Sequence, residues 1–175
     1  MAHSRIIQLR TTRMTEENDY ECMTADDFCS FENLFIGTIA ERVNDDCERR
    51  EDFDELIEDF QNVLGAGFEN HFSWEYADDD SAAMPEAYIV FKSTFKGTYF
   101  QNRHTSFLEL AGNTSLDNFM DQSYIGQLNK AICDKFDIYI AEGALEMQPL
   151  DTFIRSLPNG EEAKYWLWAT LNYRH

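Results

Sequence analysis

From Glu48 to Leu64 apolar and acidic residues alternate with the period of an α-helix. Stepping 100° per residue from Phe53, the side chains of Phe53, Leu56, Ile57, Phe60, Val63 and Leu64 fall within an arc of about 120°. Gly65 follows as a stop signal. Glu48, Glu51, Asp52, Asp54, Glu55, Glu58 and Asp59 are assigned to the other side, with Arg49 and Arg50 near its edges. Such a helix must lay one face on a hydrophobic core and turn the other to water. At a rise of about 1.5 Å per residue, Glu48, Glu51, Glu55 and Glu58 are staggered by roughly 4.5–6 Å along the axis. That makes a row of negative charges on a rigid rod, a coarse imitation of a nucleic-acid backbone.

The rest of the chain concentrates charge in the same region. The formal net charge is −19 over 175 residues. Residues 14–80 hold 22 Asp and Glu against only Arg42, Arg49 and Arg50, and the first lysine is Lys92. Arg5, Arg10 and Arg13 make the first 13 residues basic. Local crowding of like charge costs folding stability, and solubility alone does not require it to be local. Asp26-Asp27, Asp45-Asp46 and Asp78-Asp79-Asp80 extend the acidic segment. The run from Asp78 fails as a calcium loop, because Ala83 replaces the glycine at position six and Ile89 the glutamate at position twelve. This charge opposes direct binding to nucleic acid, whose affinity for proteins comes mainly from Lys and Arg.

Tyr165–Tyr173 carries apolar groups on both faces, which predicts a central or covered strand. Residues 4–10, the alternating stretch around Phe72, Trp74 and Tyr76, and Phe136–Ile140 also read as strands, and Ala87–Phe91 with Phe95–Phe100 as two strands or one bent strand. Helices are predicted after Ser115, after a cap at Ser123 and over Leu150–Leu157, with a turn at Pro158-Asn159-Gly160. Thr24 is a candidate cap, and residues 31–43 fit helix and strand equally. The order of elements predicts one α+β domain over residues 1–175, with a mainly antiparallel sheet and several packed helices.

No stretch approaches the 18 apolar residues of a membrane span, and the N-terminus lacks the pattern of a secretory signal, so a cytoplasmic location is expected. Cys22, Cys29, Cys47 and Cys133 form no metal-binding or redox spacing and are expected to be reduced, mostly buried thiols. No phosphate loop, dinucleotide fingerprint, nucleophile elbow or zinc-protease motif occurs. His3, His71, His104 and His175 are scattered, and Trp166 and Trp168 are expected to anchor a core or an interface. No catalytic residue, metal site or cofactor is expected.

These features predict a non-catalytic inhibitor that occupies the basic groove of a nucleic-acid-binding protein, its carboxylates standing in for phosphates. Anti-restriction and anti-CRISPR proteins of phages and mobile elements act this way, and the likeness is one of charge, not of sequence. Partner-binding residues are expected at Asp45, Asp46, Glu48, Glu51, Asp52, Glu55, Glu58, Asp59, Asp78, Asp79 and Asp80. An immunity protein against a basic nuclease toxin shares these electrostatics. A metal-dependent enzyme with a carboxylate-rich cleft is the alternative with chemistry. Oligomeric state stays open, a homodimer included.

Overall fold

Strand β1 (His3–Arg10) lies antiparallel to β7 (Ala163–Arg174), so the two ends of the chain meet in the middle of one sheet. The computed structural model describes residues 3–29, 43–44, 49–76, 86–132, 138–142 and 146–174. Beside β7 runs β4 (Ala87–Phe91), and β3 (Phe72–Tyr76) pairs antiparallel with β4. On the other side β5 (Ile138–Ala141) pairs parallel with β1, and β6 (Gln148–Pro149) antiparallel with β5. The sheet order is β3-β4-β7-β1-β5-β6, with β2 (Val43–Asn44) next to Tyr173 and Asn172 of β7. The architecture is α+β, and among the described strands β1–β5 is the parallel pair and the other pairs are antiparallel.

The apolar character of both faces of β7 has a structural cause. Its register with β1 slips where Gln8 faces Ala169 and Leu9 faces Leu167, which leaves Trp168 as the additional residue of a bulge. Tyr165 and Leu167 enter the main core, while Ala169 and Leu171 join a smaller cluster with Ile6, Met23 and Tyr139. Trp168 is fully buried, donates its indole N–H to the Thr12 carbonyl at 2.8 Å and is covered by the Arg10 guanidinium. Buried Gln8 pins the same loop: its amide donates to the carbonyls of Glu21 and Glu142 and accepts from the Met23 N–H.

Helices α1 (Asp26–Cys29), α2 (Arg49–Leu64), α3 (Phe95–Gly112), α4 (Leu116–Met120), α5 (Gln122–Ile132) and α6 (Leu150–Ser156) complete the described fold. The main core joins α2, α6 and the first turns of α3 to one sheet face; α5 packs on α3, and α4 on α5. Phe60 of α2 sits at its centre, with edge-on contacts to Phe72, Phe91, Phe95 and Tyr99 at centroid distances of 5.2–6.3 Å. Such contacts add to the gain from area buried.

Two sequence expectations are corrected. Phe95–Phe100, expected as a strand, forms the start of α3, because burying Phe95 and Tyr99 together needs the four-residue spacing of a helix. The α5 cap is Asp121, not Ser123: its carboxylate accepts the Ser123 N–H at 2.8 Å. That bond holds the Asp121 carboxyl below the usual carboxylate range. His71 ends a short turn before β3, and its Nδ1 meets the Thr94 hydroxyl at 2.8 Å. Residues 31–42 lie outside the described residues, as do Cys47 and Cys133.

Replacing Phe60 with Ala removes the ring that four aromatic neighbours share. Urea unfolding is expected to register a loss of about 3–5 kcal/mol, and Phe60→Leu a smaller one. The pH dependence of the α5 cap has a defined sign. Because the folded Asp121 carboxyl lies below its unfolded value, its stabilisation is present at neutral pH and lost as pH falls through the lowered folded value. Asp121→Asn is expected to flatten that acid limb in a helicity titration by circular dichroism.

Candidate functional site

The acidic face of α2 exists because its other face is fixed. Phe53, Leu56, Ile57, Phe60 and Leu64 are buried, and Val63 packs against them, so the helix cannot roll about its axis. Glu51, Glu55 and Glu58 are exposed at spacings of four and three residues, which places them along one ridge. Asp54 and Asp59 are half-buried on its flanks. Like charges four residues apart on a helix cost a few tenths of a kcal/mol, about 0.2–0.5.

The fold draws part of this charge back. Asp52, expected on the exposed side, is only 4% exposed. It lies one 100° step from Phe53, at the margin of the apolar arc, where Arg5 of β1 reaches it with Nε at 2.5 Å from Oδ1. Arg5 also pairs with Glu55, whose side chain stays about half exposed. Asp54 accepts a hydrogen bond from the Tyr76 hydroxyl. Burial, reinforced by that carboxylate, pushes the Tyr76 phenol well above its ordinary pKa. The Arg50 guanidinium lies over the same ring at 4.7 Å. Glu51 and Asp52 also occupy the first turn of α2, where negative charge complements the helix dipole.

Of the eleven expected partner-binding residues, the structure gathers Glu51, Glu55 and Glu58, with Asp59 beside them, and removes Asp52 from the surface. Asp45, Asp46, Glu48, Asp78, Asp79 and Asp80 lie outside the described residues.

A buried polar network went unrecognised in the sequence. Asp151 of α6 is fully buried, accepts the Tyr99 hydroxyl at 2.7 Å and is ion-paired with Arg103. Arg103 also donates to the Ala131 carbonyl of α5 at 3.3 Å, so one guanidinium joins α3, α5 and α6. Tyr99 and Arg103 are four residues apart, a signal legible only once α3 is taken as helical. Beside them Asn62, Val63, Asn102, Arg103, Ser106 and Ala131 line a cleft of about 230 Å³, smaller than typical ligand pockets of about 300–1,000 Å³. Asn102 spends its amide donors on the carbonyls of Val63 and Leu64 at the end of α2.

At the other side of the sheet the aromatic surface is covered by the chain's own cations. Trp166 and Tyr88 meet across β7 and β4 at 4.9 Å, and the Lys164 ammonium lies 3.4 Å from the Tyr88 centroid. Arg13 covers Trp166 while binding Glu86, and Tyr88 donates to Glu75.

Among the described residues, no three His, Cys, Asp or Glu side chains converge as a metal-ligand set, and no helix is long and apolar enough to cross a membrane. Comparison with protein-family models, curated proteins and solved structures finds no match to this chain.

Arg103→Met leaves a buried carboxylate without its cation and is expected to cost about 3–5 kcal/mol in urea unfolding. Arg103→Met combined with Asp151→Leu removes both charges and is expected to recover most of that loss. A single variant as stable as the parent would mean that the ion pair does not hold the three helices together.

Proposed function

We propose that the protein acts by binding, presenting the glutamate ridge of α2 to the basic groove of a nucleic-acid-binding protein or nuclease. The observation that carries this reading is the exposure of Glu51, Glu55 and Glu58 along one side of a helix whose other side is locked in the core. A pre-formed ridge meets Lys and Arg side chains without an ordering cost at the moment of binding. Carboxylates accept the same charge-assisted hydrogen bonds that phosphates do, bidentate ones from arginine included. The surplus of negative charge steers a cationic partner from a distance, and salt screens this attraction over about 8–10 Å at physiological strength. Pairing with Arg5 keeps the Glu55 carboxylate oriented without hiding it.

The reading is tested by capture from lysate at low salt, elution at high salt, and competition between the captured protein's nucleic acid and this chain. The two ligands are expected to exclude each other. Affinity is expected to fall at least tenfold on raising salt and again in the triple variant Glu51→Gln, Glu55→Gln, Glu58→Gln. That variant keeps Asp52 for Arg5 and relieves repulsion along the helix, so its fold is expected to persist. Affinity indifferent to salt and to the triple change would reject the proposal.

A further inference from the structure

Helix α4 turns its apolar face to water, unlike α2 and α6, whose apolar faces are buried. Leu116, Phe119 and Met120, at the spacing of one helix face, are 75%, 62% and 75% exposed, and Leu108 on α3 is 53% exposed. The helix does not need these side chains in order to form. Ser115 caps its start by accepting the Asn118 N–H, Asn118 donates to the Asn113 carbonyl, and Asp121 links its end to α5. Tyr124 donates to the Leu110 carbonyl, fastening α5 to the end of α3. The backbone is thus set by polar caps, while its apolar face meets water. Three large apolar residues on a short capped helix gain nothing there that polar ones would lack, and contiguous exposed patches of this kind mark interaction sites.

The charge around the face selects its occupant. Asp117 on α4 and Asp121 at its end are both exposed, and α4 itself carries no lysine or arginine. A second copy of the chain fits poorly, since a two-fold contact would set Asp117 and Asp121 against their own copies. An anionic bilayer is repelled by the same carboxylates, and the lysines and arginines typical of membrane-surface helices are missing from α4. A segment that offers apolar side chains flanked by Lys or Arg satisfies both features at once.

We propose that the exposed face of α4 is a docking site for an amphipathic basic segment of a partner protein. Phe119 and Met120 would enter the partner's apolar surface, and Asp117 and Asp121 would pair with its flanking cations. Buried apolar anchors of this sort prolong a complex, whereas rim charges chiefly speed its formation. The site stands on α4 and does not require the α2 ridge to bind anything.

The probes are three labelled synthetic helical peptides: Leu/Lys, Ser/Lys with the same charge and no apolar face, and Leu/Glu with the charge reversed. Fluorescence anisotropy is expected to give at least tenfold tighter binding of Leu/Lys than of either control. That advantage over Ser/Lys is expected to vanish in Phe119→Ser, Met120→Ser and to survive in the triple Gln variant of α2, which separates this site from the ridge. Circular dichroism checks that the α4 variant remains folded, as its exposed positions predict. Equal binding of Leu/Lys and Ser/Lys, or of Leu/Glu, would overturn the proposal. So would a dimer in sedimentation, or adsorption to phosphatidylserine vesicles, that the α4 substitutions abolish.

Discussion

Burial of the inner face of α2 against the sheet is the interaction on which the rest depends. Phe60 reaches β3, β4 and α3 through four aromatic neighbours, so one helix turn ties together elements from four parts of the chain. A helix held by five buried side chains has a fixed rotation. Its outer residues therefore have fixed positions too, and the chemistry of the outer face becomes a property of the fold. An acidic sequence without that inner arc would present its charge as a fluctuating cloud instead of a ridge.

Much of this was legible in the sequence because periodicity and burial agreed. The helix expected from residue 48 to 64 runs from Arg49 to Leu64, and the stretch apolar on both sides became the central strand β7. The strands at Phe72–Tyr76 and Ala87–Phe91 and the helix from Leu150 followed local pattern in the same way. Where local preference and tertiary need diverged, the pattern misled. Phe95, Thr98, Tyr99 and Phe100 favour strands by type, but the core accepts Phe95 and Tyr99 only from a helix. Asp52 illustrates a second limit. Its place at the margin of the apolar arc left its exposure to be decided by Arg5, more than forty positions away in sequence and adjacent only because β1 lies under α2. The same distance hid Asp151, whose partners come from α3.

Four of the chain's arginines are placed against carboxylates. Arg5 meets Asp52 and Glu55, Arg10 meets Glu21, Arg13 meets Glu86, and Arg103 meets Asp151. Three of these arginines lie in the first 13 residues and fasten the sheet to α2, to the loop before α1 and to the start of β4. The basic N-terminus is therefore the internal counterweight of the acidic segment. It restrains the acids that border the core and leaves the outer ones facing water.

That division bears on why so much charge is retained. Burying a carboxylate demands a cation and hydrogen bonds in return, and an isolated one inside the core would cost several kcal/mol, on the order of 3–5 when a partner is missing. The fold meets this demand at Asp52 and Asp151 with two arginines, while Glu16, Glu17, Asp19, Glu51, Glu58, Glu69 and Glu75 are exposed to water, where a carboxylate needs no such provision. A chain selected only for stability would gain by interspersing lysine among these positions, since self-repulsion falls as opposite charges alternate. Lysine is instead absent from the first 91 residues, while five occur later. The asymmetry costs folding stability through self-repulsion, and under the proposed function that cost is offset by attraction of a cationic partner.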